Sequence, residues 1–315
     1  MKKIIILLLI ILVSIFVVSN LQIDKENLQK PASFGVSFSP RYALELGLNP
    51  KLTYQSILQE LGTKSVRLSA YWDEIESEQD KFNFDELDWY VSEAAKNQAR
   101  VLLAIGYKLP RWPECRAPKW LSNLRERQLK MLGAVIAHYE KNPTINAFQV
   151  ENEPLLEFGV CPPPDRQFLK KEVEFVRNLT KKPVIITDSG ELRSWFTPAK
   201  LSDILGITLY RTVETPIFGT FHYPFPPWFY RLKANLVGKK TIVVELQAEP
   251  WATHSLTQTP LDKQIKRFSL EQFKKNIEFA QKTGFEEVYL WGVEWWYFMA
   301  QQGHPEYLDY AKGLF

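Results

Sequence analysis

From Ser33 onward, short apolar runs rich in β-branched residues alternate with longer stretches whose apolar positions recur every three or four residues. The runs Phe34–Phe38, Ser65–Ala70, Val101–Ile105, Ile145–Val150, Val184–Thr187, Ile204–Tyr210, Thr241–Glu245 and Val288–Trp291 are predicted strands. Between them, Asn83 with Glu86 forms a capping box ahead of a helix that carries Leu87, Val91, Ala94 and Ala95 on one face. Leu132, Val135, Ile136 and Tyr139 repeat that spacing. Ser269 with Gln272 opens a further helix bearing Phe273, Ile277 and Ala280, which closes at Gly284. Helical spacing is weakest after the fifth and eighth runs. Strand–helix alternation of this kind implies a parallel sheet, and eight units predict one α/β domain over residues 33–315, a closed (β/α)8 TIM barrel. An open doubly wound sheet would place a glycine-rich turn after its first strand, and none follows Phe38.

Ahead of the barrel, Lys2 and Lys3 precede an apolar run, Ile4–Val18, interrupted only by Ser14. Residues 1–19 therefore read as a signal peptide or membrane anchor. As a helix the run would reach about 22 Å, short of a ~30 Å hydrocarbon core, which favours a cleaved signal. The exit Val17-Val18-Ser19 lacks the small residue preferred three positions before a cut, which keeps an uncleaved anchor open. Residues 20–32 are polar and read as a linker. Both outcomes imply export, with a secreted or membrane-anchored domain outside the cytoplasm.

Lysine plus arginine number 39 against 36 acidic residues, a net +3 to which Lys2 and Lys3 contribute two. That balance gives no electrostatic case for nucleic acid. Two cysteines are too few for a zinc site or a disulfide scaffold, and His138, His222, His254 and His304 form no metal-binding pair. The chain lacks G-x-S-x-G, G-x-G-x-x-G and P-loop motifs, so neither metal nor cofactor is expected.

In a barrel of this kind chemistry sits at the C-terminal ends of the strands. There the sequence delivers Arg67 and Tyr71-Trp72 on the second, Tyr107-Lys108 after the third, and Glu151-Asn152-Glu153-Pro154 after the fourth. Tyr210 ends the sixth, Glu245 the seventh, and Trp291 the eighth, followed by Glu294-Trp295-Trp296. Paired glutamates among aromatic rings suit glycoside hydrolysis, in which one carboxyl protonates the leaving oxygen and the other attacks or activates water. Trp72, Trp112, Trp251 and Trp295 are candidate sugar platforms, whereas Trp89 and Trp195 read as packing. Glu294 reads as a sugar-hydroxyl ligand or as a buried glutamate satisfied by backbone, and Glu249 is a rival nucleophile beyond the strand. The loop 211–230, crowded with proline and aromatic residues, suits a sugar-binding wall, packing over the rim, or contact with a bilayer beside Arg231 and Lys233. Cys115 and Cys161 fall in neighbouring loops, where a disulfide would be worth about 4 kcal/mol; two buried thiols are the alternative.

VENEP (Val150 to Pro154), IVVELQAEPW around Glu245, Arg67 within SVRLSAYWDEIE, and VYLWG with Trp291 resemble clan A glycoside hydrolases, family 5 cellulases in particular. The similarity runs from Phe34 to Trp296. It implies a retaining enzyme with Glu153 as acid/base, Asn152 on the sugar 2-hydroxyl, Glu245 as nucleophile, Arg67 and Tyr210 as its partners, and Trp291 as the floor beneath the sugar next to the cut. Family 5 histidines after the third and sixth strands are replaced here by Tyr107-Lys108 and Ile207-Thr208. Carboxyls about 5.5 Å apart would repel by roughly 3 kcal/mol if both ionised, so Arg67 and Tyr210 are expected to keep the charge on Glu245 and leave the proton on Glu153. The substrate class implied is an oligo- or polysaccharide, acted on by a monomer. A catalytically inactive carbohydrate-binding barrel and a transglycosylase are the alternatives.

Overall fold

The computed structural model describes residues 2–30, 32–215, 219–251 and 255–315. Its centre is a closed barrel of eight parallel strands: β1 (Ser33–Ser37), β2 (Ser65–Ser69), β3 (Arg100–Ile105), β4 (Ile145–Val150), β5 (Val184–Asp188), β6 (Ile204–Leu209), β7 (Thr241–Gln247) and β8 (Glu287–Trp291). Each strand pairs with its chain neighbour, and β8 closes on β1 with Ser33 opposite Glu287 and Ser37 opposite Trp291. All eight predicted strands are present. Period-two alternation divides their apolar residues into two groups. Leu102, Ala147, Ile185, Ile242, Val244 and Tyr289 fill one cluster, while Val36, Val66, Val101 and Leu103 join the larger core shared with the helices. Towards the C-terminal ends, Arg67, Gln149, Thr187, Thr208 and Glu245 are buried polar residues. A register shift between β6 and β7 brings Glu245 opposite Thr208.

The amphipathic helices form where their spacing predicts, with small differences. Leu132, Val135, Ile136 and Tyr139 are buried in the helix Leu124–Tyr139, and Phe273, Ile277 and Ala280 in Leu270–Thr283, whose N-cap Ser269 accepts from Gln272 N. In Asp85–Lys96 the buried face is Leu87, Tyr90, Val91 and Ala94; Ala95 turns outward, and Asn83 Oδ1 accepts from Asp85 N from two residues before the helix begins, the N-cap being Phe84. The helix after β5 is a short turn, Phe196–Leu201, and two helices, Val293–Gln301 and Glu306–Lys312, follow β8. The expected loop 211–230 instead holds an antiparallel hairpin, Thr212–Thr215 with Gly219–His222, and the start of the helix Pro227–Val237. His254 lies outside the described residues.

The chain opens with a helix, Lys2–Leu28, so most of the expected linker is helical. Its last turns dock on the barrel wall. Asp24 pairs with Arg231 at 2.6 Å, Asn27 donates to Lys282 O, and Phe16 meets Trp228 edge-on. Gly284 makes the seat, since a Cβ there would stand 2.6 Å from Asn27 Nδ2. Among the described residues no helix is long and apolar enough to cross a membrane.

Candidate active site

A buried guanidinium must find several acceptors, and Arg67 at 1% exposure finds them on β4, just beyond it, and on β7. Its Nη1 donates to Glu245 Oε1, Nε to Gln149 Oε1 and Nη2 to Asn152 Oδ1, each at 2.8 Å. Tyr210 donates its hydroxyl to the other Glu245 oxygen at 2.8 Å. Both oxygens of Glu245 are thus held by donors, and burial with the Glu245 charge pushes the Tyr210 phenol well above its ordinary value, which keeps its proton in the bond.

The end of β4 is built differently. Glu151 and Glu153 both adopt left-handed backbone, with φ 59° and 42°, a conformation that costs a non-glycine residue about 1–3 kcal/mol. Local bonds offset that cost. The Glu151 carboxylate accepts from Tyr107 N at 2.7 Å and Lys108 N at 2.6 Å, an approach open only because residue 106 is glycine. Glu153 N donates to Thr187 Oγ1 at 2.7 Å, and Thr208 Oγ1 donates to Glu153 Oε1 at 3.1 Å. Thr208 and Lys108, which stand where the resemblance would place histidines, therefore both serve this residue, Lys108 Nζ through the Glu153 carbonyl at 3.1 Å. Burial first, then the charges of Glu245 and Glu114, raise the Glu153 carboxyl well above the ordinary carboxylate range. The two candidate carboxyls thus sit in opposite environments, one bonded to a cation and a phenol, the other desolvated and facing negative charge.

Two residues of the loop after β3 complete the site, and sequence reasoning missed both. Glu114, 6% exposed, accepts from Asn152 Nδ2 at 3.1 Å, and burial pushes its carboxyl up to about 7. Arg111 reaches across the barrel mouth. Its guanidinium stacks 4.0 Å from the Trp291 ring and 3.7 Å from the Tyr42 ring, donates to Glu294 Oε2 at 3.1 Å and pairs with Glu249. This strap roofs the side formed by β8, β1 and β2. Beneath it, Ser37, Arg67, Tyr71 and Trp291 enclose a cavity of about 10 Å³, at the lower limit for one water molecule. Glu249 and Glu294 are therefore counterions of Arg111 and not free carboxylates.

The tryptophans divide accordingly. Trp72 is 1% exposed and bonds Glu76 through its indole N–H, and Trp295 is fully buried against Gln264, so neither is a platform. Their rings turn into the core, where indole N–H groups find acceptors. Trp195 is core, as expected, and Trp89 packs on Tyr54 and Tyr90. On the side of β3 to β7, by contrast, Trp112, Phe158, Trp251 and Tyr210 form a chain of ring contacts at 5.1–5.9 Å that runs from the rim down to Glu245, with Trp112 62% exposed. A Cys115–Cys161 disulfide, Cα–Cα 5.2 Å, ties the strap loop to the loop after β4.

No protein-family model matches the chain, and no curated protein matches it. Solved structures do. A glycosylated endo-β-1,4-xylanase of glycoside hydrolase family 10 from Gloeophyllum trabeum superposes with TM-score 0.59 at 17% identity, over 91% of this chain and 97% of that one. The GH5_18 protein of Bifidobacterium longum subsp. longum gives TM-score 0.60 at 11% identity, over 83% of this chain and 70% of that one. A β-galactosidase from the Antarctic haloarchaeon Halorubrum lacusprofundi gives TM-score 0.58 at 14% identity over 82% of this chain, which spans 52% of that protein. What this chain shares with them at such identities is the barrel fold.

Proposed function

We propose that the protein is a retaining glycoside hydrolase of clan A type that cleaves a β-linked oligo- or polysaccharide by double displacement. The observation that carries this is the asymmetry of the two carboxyls. Glu245, held by Arg67 and Tyr210, attacks the anomeric carbon, while Glu153, protonated in its desolvated site, gives its proton to the departing oxygen. Once Glu245 is esterified its charge is gone, the Glu153 carboxyl becomes more acidic, and it takes the proton of the incoming water. Asn152, fixed by Arg67 and Glu114, supports this reading as the residue that would give its remaining amide hydrogen to the sugar 2-hydroxyl. Two of the structural neighbours, a xylanase and a β-galactosidase, carry names that agree with this chemistry.

The experiment is turnover on a panel of aryl β-glycosides and polysaccharides, wild type beside Glu245→Gln. The variant, folded by circular dichroism, should lose at least ~10³-fold in kcat. Near-normal turnover would defeat the assignment, and glycan binding without turnover by the wild type would make the protein a carbohydrate-binding barrel. Transfer to a second sugar is the other reading, favoured by the exposed aromatic row beside Glu245, and product analysis at high acceptor concentration distinguishes it.

We also propose that the domain is exported and held at a membrane by its N-terminal helix. Ile11, Val13, Ile15, Val18 and Leu21 are exposed on a segment whose following turns are bonded to the barrel. Cell fractionation tests this: full-length protein should sediment with membranes and be released by detergent but not by high salt. Recovery in the soluble fraction would overturn it.

A further inference from the structure

The N-terminal helix has a direction, and that direction says where the barrel mouth points. Helices that follow barrel strands run from the mouth down to the opposite end. Pro227–Val237 and Leu270–Thr283 therefore begin at the mouth and end at the floor. Phe16 lies against Trp228, at the beginning of the first, and Asn27 lies against Lys282 and Gly284, at the end of the second. The N-terminal helix thus descends the barrel wall from mouth to floor. Its earlier residues, 2–15, continue about 21 Å beyond Phe16 on the mouth side at 1.5 Å per residue. The apolar run Ile4–Val18 therefore stands on the same side as Glu153 and Glu245, and not at the opposite pole.

The rim carries a second, independent sign. Trp112 (62% exposed), Phe158 (39%), Val160 (64%), Leu192 (60%), Phe196 (58%) and Phe221 (40%) all belong to loops or first turns that follow β3, β4, β5 and β6. Leu179 and Leu236 are exposed at the floor ends of their helices. Among the described residues outside the N-terminal helix, however, every exposed phenylalanine, tyrosine or tryptophan ring lies on this rim. Aromatic rings gathered there in water mark a surface that meets something apolar. Such rings suit the headgroup level of a bilayer.

We infer that the mouth of the barrel faces the bilayer, and that the sugar it takes is carried on a membrane lipid or lies against the membrane surface. This deepens the proposed glycosidase reading and rests on it for the substrate, but not for the orientation. A flexible tether would let the mouth turn in any direction. A helix bonded to the wall through Asp24, Asn27 and Phe16 holds it toward the surface into which the apolar run inserts. The open aromatic half of the mouth then receives a sugar whose linkage to the lipid lies at headgroup depth.

The orientation is tested with full-length protein in vesicles of phosphatidylcholine with one-fifth phosphatidylglycerol. Leu192→Cys and Phe196→Cys, labelled with an environment-sensitive fluorophore without reduction of the native disulfide, should shift to shorter wavelength and be quenched by brominated lipid. Leu179→Cys, at the floor end of the helix Arg166–Leu179, should remain water-like. A shift at Leu179→Cys alone, or at none of the three, overturns the orientation. The substrate class is tested with wild type in the same vesicles, comparing dialkylglycerol β-glycosides held in the bilayer with p-nitrophenyl β-glycosides of the same sugars in water. Turnover of the lipid-held sugar should be favoured at least tenfold, and the preference should vanish when both are dissolved in detergent. Equal rates overturn the lipid-carried substrate, while no turnover of either with the rim probes shifted sinks the glycosidase reading and leaves the orientation standing.

Discussion

The two halves of the barrel mouth are built from the same kinds of residue and put them to opposite uses. On the side of β8, β1 and β2, Trp291, Tyr42, Glu249 and Glu294 are spent on a guanidinium of the protein's own, and little open space is left. On the side of β3 to β7, Trp112, Phe158, Trp251 and Tyr210 have no cation stacked on their rings among the described residues and descend in a row to Glu245. In the proposed reading, an aromatic residue at a strand end serves as a sugar platform only where no arginine covers its face. In the proposed mechanism the leaving oxygen lies at Glu153, so the departing group occupies the open half and the retained sugar points toward the strap.

The sharpest break of the comparison is at the shared floor. Arg67→Met leaves Glu245 buried without its cation and should lower stability by about 3–5 kcal/mol in urea unfolding, with activity lost. Glu245→Gln, by contrast, keeps an amide oxygen for Arg67, which Gln149 and Asn152 continue to hold, and should cost less stability and leave the protein folded. An Arg67→Met protein as stable as wild type would mean that the ion pair does not organise the site.

Arg111→Ala tests the strap. Wild type should trim single sugars from chain ends, because a longer retained segment meets the roof; the variant should release products of two or more units, read by chromatography at early times. Internal cleavage by wild type would show that the roof is no barrier. A smaller effect concerns protons. Burial pushes Glu114, Glu151 and Glu294 each up to about 7, so the folded chain holds protons that the unfolded chain has already released. Stability should therefore fall as pH rises from about 4.5 to 7, giving a Tm several degrees lower at pH 8 than at pH 5. A Tm that rises across that interval would contradict the desolvated state of these carboxyls. The mildest change is Trp112→Ala in the open half, which should raise KM about 5- to 30-fold with Tm unchanged, since the ring is 62% exposed.

Much of this architecture was legible beforehand, and the exceptions have physical causes. Eight β-rich runs and the strand-end rule were enough to gather Arg67, Asn152, Glu153, Tyr210 and Glu245, since each sits on or immediately after a strand whose position the barrel dictates. Arg111 and Glu114 were hidden because loop side chains go where the backbone aims them. Both residues take left-handed φ, 82° and 65°, without a glycine to announce it. Trp72 and Trp295 misled for the related reason that a residue's place after a strand does not say which way its ring turns. Residues 20–32 looked like a tether because their polar composition is visible in one dimension, whereas the Gly284 seat and the Arg231 partner that hold them are more than two hundred residues away.

The docking of that last segment bears on how the domain is best prepared. Trimming the chain at Ser33, the first barrel strand, would strip Arg231 of Asp24 and bare the wall around Phe279 and Lys282 that the helix covers. A cut just before Asn20 discards the greasy run and keeps the turns that finish the barrel, so purification and crystallisation trials should begin from that shorter form.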